Sequence, residues 1–219
     1  MVNNEKSNSV LNVFDDMATE YVEYFGDDWE FINEINNFAS NFKKNSTIID
    51  LGSGSGYITN YLREKNLNAI GIDFSEKMIK IAKIKYPRTK FLLSDFTNIE
   101  DYFKEASVDG LIAIYSLYFI PKEQFNNVLK SLSKVLKDDG KFLFVTQIGT
   151  GEDFIVTPLM KENNIDGKIY VNYYMKEELE NILENNDFSI ESFVTKYDHD
   201  EKEISDSGRY IVLVKRNIR

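Results

Sequence analysis

The chain has 219 residues, 42% of them hydrophobic and 28% charged, enough apolar material for one well-buried domain rather than two. Its 26 lysines and arginines stand against 36 aspartates and glutamates, a net charge of −10 that repels polyanions at long range. No basic stripe is apparent to compensate, so nucleic acid is not expected as a ligand. The absence of cysteine removes disulfide frameworks, cysteine-ligated zinc, iron–sulfur clusters and a thiol nucleophile together.

Met1 to Asn8 lacks the basic region and apolar stretch of a secretory signal. The longest run without charge, Leu111 to Pro121, is about half of what a membrane-spanning helix requires. A cytoplasmic protein with no membrane contact is expected. From Val13 to Phe42 the apolar spacing predicts helix: Phe14, Met17, Ala18, Tyr21 and Phe25 share a face, Trp29, Ile32 and Ile35 begin a second stripe, and Gly26-Asp27-Asp28 breaks the two. Thr47 to Leu51 is a short apolar run entering a glycine-rich turn and reads as a buried strand. A helix over Tyr57 to Lys65 follows, then a strand over Asn68 to Asp73, then a helix capped by Ser75 with Met78, Ile81 and Ala82 inward.

Phe91 to Asp95 and Val108 to Tyr115 supply the third and fourth strands. Phe125, Val128, Leu129, Leu132, Val135 and Leu136 define a helix over Gln124 to Lys137, closed by Asp138-Asp139-Gly140. A fifth strand is expected over Lys141 to Ile148. Gly149 to Lys168 has no steady period, Met175 to Asn185 is helical, and two last strands, Phe188 to Lys196 and Arg209 to Arg216, flank an acidic tract. Five β-then-α units in series imply a mostly parallel sheet, doubly wound, because parallel neighbours need crossovers; the last two strands, with no helix between them, form an antiparallel hairpin at its edge. The fold class is α/β.

Ligands of such sheets bind beyond the carboxyl ends of the strands. There, after the first strand, stands Asp50-Leu51-Gly52-Ser53-Gly54-Ser55-Gly56, whose alternate glycines permit a tight turn and close approach of backbone to ligand. Asp73 ends the second strand, at the place where a ribose diol is usually held, and Asp95 ends the third. A glycine turn alone also occurs with no ligand; followed by an acid after each of the next two strands, it points to a nucleoside-bearing cofactor. The third glycine comes one residue too early for the usual dinucleotide Gly-x-Gly-x-x-Gly pattern.

These motifs, over Ile48 to Tyr61, Ile70 to Ala82, Phe91 to Phe96 and Val108 to Pro121, resemble those of the class I S-adenosylmethionine-dependent methyltransferases, nearest to the single-domain small-molecule type. The resemblance implies an enzyme that transfers a methyl group from S-adenosylmethionine to a small-molecule acceptor nitrogen or oxygen, leaving S-adenosylhomocysteine. It implies that Gly52, Ser53, Gly54 and Gly56 wrap the amino acid end of the cofactor, with Leu51 beside them and Asp50 in the same hydrogen-bond network. Asp73 would bind the ribose hydroxyls, Phe74 and Met78 would pack on the adenine, and Asp95 with the Phe96 backbone would read its edge. It divides the single domain into a helical lid (1–45), a cofactor-binding core (46–148), a substrate cap (149–174) and a carboxyl-terminal helix and hairpin (175–219). A cofactor-binding module without catalysis, a peptide methyltransferase and a dinucleotide oxidoreductase are the alternatives.

The acceptor side is less defined. Residues after the fourth strand, Tyr115 to Pro121, face the acceptor in relatives, which often carry a histidine where this chain has Phe119; Tyr115, the first of them, is also counted with the cofactor-binding residues. Tyr118 is the first candidate to face the substrate, although a phenol is a poor base near neutral pH. Tyr21 and Tyr24 lie where lid tyrosines approach the site, and Glu152, Asp153, Phe154, Tyr173 and Tyr174 belong to the cap region. His199 sits among Asp198 and Asp200 and reads as a solvated turn rather than a metal ligand; no metal site is expected.

Overall fold

The computed structural model describes residues 5–25, 29–197 and 208–218. Its main sheet has seven strands in the order β3-β2-β1-β4-β5-β9-β8. These are β1 (Thr47–Leu51), β2 (Asn68–Asp73), β3 (Lys90–Leu93), β4 (Val108–Ala113), β5 (Leu136–Gln147), β8 (Phe188–Tyr197) and β9 (Gly208–Arg216). Strands β1 to β5 pair in parallel, and β9 joins antiparallel to both β5 and β8. The order reverses at β1, where the chain runs outward first to β2 and β3 and then back to β4, so the crevice of an open α/β sheet falls beside β1 and β4.

The central strands are apolar on both faces because each face is covered. Ile49, Leu51, Leu111, Ala113, Phe142 and Phe144 point to one side, where α6 (Lys122–Val135) packs Phe125, Leu129 and Leu132 and α8 (Lys176–Glu184) packs Leu179 and Leu183. Their neighbours Ile48, Ile112, Leu143 and Val145 point the other way, onto Ile35 and Phe38 of α3 (Ile32–Ser40) and Ile58 and Leu62 of α4 (Tyr57–Glu64). This alternation is the two-residue period of a pleated strand. Helix α5 (Glu76–Lys85) covers the β3 edge through Ile79, Ala82 and Phe91.

The structure departs from the sequence reading in five places. The first helix, α1 (Glu5–Asp16), begins eight residues before Val13 and gives way at Met17 to α2 (Ala18–Phe25); the predicted break at 26–28 lies outside the described residues. On α5 the inward apolar residues are Met78 and Ile79 with Ala82, while Ile81 is only half-buried. After β3, where the β-then-α series implies a helix that no residue pattern marked, stands a 3₁₀ turn, Phe96–Asp101, with Asp95 capping it. The strand after α6 starts at Leu136, before the Asp138-Asp139-Gly140 turn, because Leu136 already pairs with Val108. Finally, the aperiodic stretch contains structure: β6 (Glu152–Ile155) and β7 (Ile169–Asn172) form an antiparallel hairpin around α7 (Pro158–Glu162). Val10, Val13 and Met17 pack on Met160, Ile169 and Tyr170 of this unit and form a small core above the sheet edge.

Candidate active site

At the exit of β1 the backbone N–H groups of Gly52 and Ser53 both donate to the Ile72 carbonyl, at 2.8 and 2.9 Å, which ties the turn to β2. Gly52 has φ +72°, and a Cβ there would stand 2.5 Å from the Cβ of Ser116, whose hydroxyl donates to the Leu51 carbonyl at 2.6 Å. Glycine is therefore required twice over, by conformation and by the approach of the β4 exit. At Gly54 (φ +50°) the situation differs: nothing lies within 4 Å of the missing side chain. That open space faces the cleft and leaves the backbone accessible to a ligand.

Asp73 is fixed from both sides. The Gly54 N–H donates to its Oδ2 at 2.8 Å and the Ser75 N–H to its Oδ1 at 2.9 Å. Burial pushes its carboxyl up to about 6, opposed by these two N–H groups and assisted by the nearby charge of Asp15. Asp50, behind it, accepts from the Thr59 hydroxyl at 2.6 Å, and burial pushes it up to about 7, with a contribution from Asp73. The Ser53 hydroxyl is buried among them without a hydrogen-bond partner. Two poorly solvated carboxylates beside an unused hydroxyl are matched to a ligand that brings hydrogen-bond donors.

A cleft of about 560 Å³ opens here, within the range of small-molecule sites. Of the residues singled out in the sequence, Gly52, Gly54, Asp73, Phe74, Met78, Asp95, Phe96, Tyr115 and Tyr21 line it. Asp50, Leu51, Ser53 and Gly56 are buried and do not line it; a Cβ on Gly56 (φ +83°) would run into the Phe91 ring at 2.4 Å. The roof is α1, which contributes Ser7, Asn8, Leu11, Phe14 and Asp15. Phe14 was read only as part of a helix face; Ser7, Asn8, Leu11 and Asp15, together with Ser94, Thr97, Asn98, Asp101 and Tyr102 beyond β3, were not singled out as site residues. The spacing of Val10, Val13 and Met17 was the signal available for α1.

The end of the cleft beside the exit of β4 is aromatic. Phe14 packs edge-on against Tyr21 and Phe119 at 5.6 and 5.1 Å. Tyr115 sits just past β4 in the left-handed region (φ +61°), an uncommon conformation for a side chain of its size. It is held by a hydrogen bond from its hydroxyl to Glu30, by the Phe31 ring, and by the Arg209 guanidinium 5.5 Å from its own ring. Burial works to raise the Glu30 carboxyl, but Lys196, the Tyr115 hydroxyl and Arg209 outweigh it and hold Glu30 below the usual range.

Tyr118 lies behind this surface. It is buried next to Phe119, and burial, above all, pushes its phenol far above the ordinary value. Glu152 is engaged by Lys6 at 2.6 Å and by the Tyr170 hydroxyl at 2.9 Å, a pairing that fastens α1 to the β6–β7 hairpin. Tyr173 is half-buried at the end of β7, its N–H donating to the Gly151 carbonyl at 3.1 Å, and Tyr174 is buried against Phe125. The Asp153 carboxylate accepts from the Phe154 N–H at 2.7 Å, and the Phe154 ring stands edge-on to Tyr170. Tyr24 is 63% exposed. His199 lies outside the described residues.

Residues 49–144 match the family described as "Methyltransferase domain". Carboxy-S-adenosyl-L-methionine synthase of Nautilia profundicola is 32% identical over 198 residues, covering 82% of this chain and 79% of that protein. Among solved structures, a magnesium protoporphyrin IX methyltransferase from Synechocystis with bound S-adenosylmethionine superposes with a TM-score of 0.69 at 15% identity, covering 99% of this chain and all of that one. A methyltransferase from Methanosarcina mazei gives 0.70 at 18% identity, covering 85% of this chain and 98% of the other. These two carry the fold; the similarity over four fifths of the first relative carries the family. With the glycine turn and its two acids inside the matched region, the chain belongs to the class I S-adenosylmethionine-dependent methyltransferases, and S-adenosylmethionine is its cofactor.

Proposed function

We propose that the protein methylates a small neutral or cationic acceptor, at nitrogen or oxygen, in the cleft beneath α1. The observation that carries this reading is the lining of the cleft: Asp15, Asp73, Glu76, Asp95 and Asp101 contribute carboxylates, and among the described residues no lysine, arginine or histidine lines it. An anionic acceptor would enter such a site unpaired and against its field. An amine or a phenol would not.

The cofactor supplies a methyl group on a sulfonium, an electrophile that needs no metal or further activation. Gly52, Ser53, Gly54 and Gly56 provide the turn for its amino acid end, and Leu51 ends the strand that presents them. Asp73, with both oxygens already oriented by backbone N–H groups, accepts from the ribose hydroxyls, and Asp50 supports the network from behind. Phe74 and Met78 flank the base, with Asp95 and Phe96 at its edge. Tyr115, Tyr21 and Phe119 shape the space for the acceptor, so the residues contribute chiefly by holding the nucleophile in line with the methyl carbon. Glu152 and Tyr173 act at a distance, by holding the hairpin that backs the lid. Tyr21, Tyr115 and Phe119 present no carboxylate or imidazole to the acceptor, which favours a nucleophile that arrives unprotonated.

A second reading follows from the relative named for carboxy-S-adenosyl-L-methionine synthesis. A carboxylated cofactor calls for a cation at the reacting end, and Arg209, stacked on the Tyr115 ring, is already paired with Glu30 at 3.0 Å. Methyl transfer is therefore preferred. Incubation of the enzyme with cofactor and separate amine, phenol and carboxylic acid panels, read by mass spectrometry, separates the two. Methylated amines or phenols with an otherwise unchanged cofactor pool support the proposal. A cofactor recovered with an added carboxyl group, or methylation confined to carboxylic acids, overturns it.

A further inference from the structure

The charge of −10 is not spread evenly. Residues 77 to 90 carry Lys77, Lys80, Lys83, Lys85, Arg88 and Lys90 and no acidic side chain, which leaves 20 cations against 36 acids in the rest of the chain. The expectation that no basic stripe offsets the acidic charge is corrected by this segment. Helical spacing turns Met78, Ile79 and Ala82 inward and leaves Lys77, Lys80, Lys83 and Lys85 outside, while Arg88 and Lys90 continue onto β3, the edge strand that α5 covers. All six cations are exposed. Among the described residues no ion pair engages Lys80, Lys83, Arg88 or Lys90, and Lys77 stands 3.8 Å from Asp16.

Beside the cations runs a groove of about 630 Å³ lined by Ile70, Phe91, Leu92 and Phe103, with Lys83 and Lys90 also on its wall. Tyr102, also lining it, is 52% exposed, and Ile84, next to Lys83 in the chain, is 74% exposed. We infer that this edge is a docking surface for an acidic segment of another protein that inserts an apolar side chain into the groove. The carboxylates meet the lysine and arginine heads, and the apolar anchor covers the exposed ring and aliphatic surface, the mixture that marks protein interfaces.

Nucleic acid fits less well for two reasons. A polyanion longer than the patch continues over a surface where acids outnumber cations, and a phosphate backbone supplies nothing apolar to bury in the groove. The inference does not rest on the methyl-transfer reading: Lys80, Lys83, Arg88 and Ile84 do not line the cleft, and Tyr102 is the residue that the groove and the cleft share among the described residues.

A fluorescent peptide of about twelve residues, glutamate and aspartate around a central Leu-Phe pair, titrated into the full chain, tests it by anisotropy. The expected result is binding that weakens roughly tenfold or more as salt is raised, and falls roughly thirtyfold in Lys80→Glu/Lys83→Glu/Arg88→Glu. Ile84→Ser is expected to lose roughly fivefold. The neutral triple variant with glutamine at the three positions should lose less than the charge reversal, and cofactor affinity should be unchanged in every variant, which also confirms folding. Failure of the peptide to bind, unchanged affinity in the triple variants, or equal or tighter binding of an oligothymidylate of matched charge overturns the inference. Capture by phosphatidylserine vesicles without capture of the peptide overturns it as well.

Discussion

In the proposed reading Asp73 carries much of the cofactor binding in one side chain. Both its oxygens are oriented by backbone donors before any ligand arrives, so Asp73→Ala is expected to weaken S-adenosylmethionine by roughly 1.5–3 kcal/mol, the cost of losing a charged hydrogen-bond partner. Calorimetry reads this directly; an unchanged affinity places the ribose elsewhere. The raised carboxyl, at about 6, sets the pH dependence. Between the usual aspartate value near 4 and this one, the folded chain holds a proton that the unfolded chain has released, so stability of the free protein falls as pH rises through that window. Ribose hydroxyls donate to the ionised form, and binding is therefore expected to release a proton below about pH 6 and to strengthen as pH rises through it. Heats measured in buffers of different ionisation enthalpy give the proton count. These acids were legible in the sequence because they end strands, and strand ends are where an open α/β sheet gathers its ligands. The left-handed Tyr115 and its bond to Glu30 were not, since they depend on a side chain 85 residues away. Glu30→Ala is expected to lower turnover several-fold while Glu30→Gln, which can still accept from the Tyr115 hydroxyl, retains most of it.

At the scale of elements, α1 is the part whose placement decides access to the cleft. It is fastened at one end by Lys6, which meets Glu152 at 2.6 Å and Glu123 at 2.9 Å, and at the other by Asp15, which accepts from the Ser75 hydroxyl at 2.5 Å. Ser75 in turn caps α5 by accepting from the Met78 N–H at 3.1 Å. The roof and Asp73 thus share a single hydrogen-bonded chain through Ser75. Asp15→Asn is expected to speed cofactor release several-fold in stopped-flow traces and, by removing a neighbouring negative charge, to move the pH dependence of binding downward. Release unchanged from the natural protein would detach the roof from the site. Helix α1 was only half legible: Glu5 to Asn12 is mostly polar, and its helical state rests on packing Val10 and Val13 against the hairpin. The hairpin was not legible at all, because β6 and β7 have four residues each and their pairing spans a turn of helix between them.

Across the whole molecule, the seven strands, the doubly wound layers and the antiparallel edge were readable from the sequence of β-then-α units, because covered parallel strands announce themselves as short apolar runs, whereas the strand order was not. What composition concealed was the distribution of charge. A net −10 describes neither the acidic cleft nor the basic edge at 77–90, and each directs a different class of molecule to a different face. No helix among the described residues is long and apolar enough to cross a membrane. In the proposed reading the acidic cleft, with no lysine, arginine or histidine among its described lining residues, passes a methyl group to a neutral or cationic small molecule. The most direct test of that reading is a single-turnover reaction of enzyme with methyl-labelled S-adenosylmethionine and an equal mixture of amines, phenols and carboxylic acids. Label on an amine or phenol, with S-adenosylhomocysteine formed in step and the signal lost in Asp73→Ala, is the predicted result. Label found only on carboxylic acids, or retained on a cofactor that has itself been carboxylated, would contradict the account.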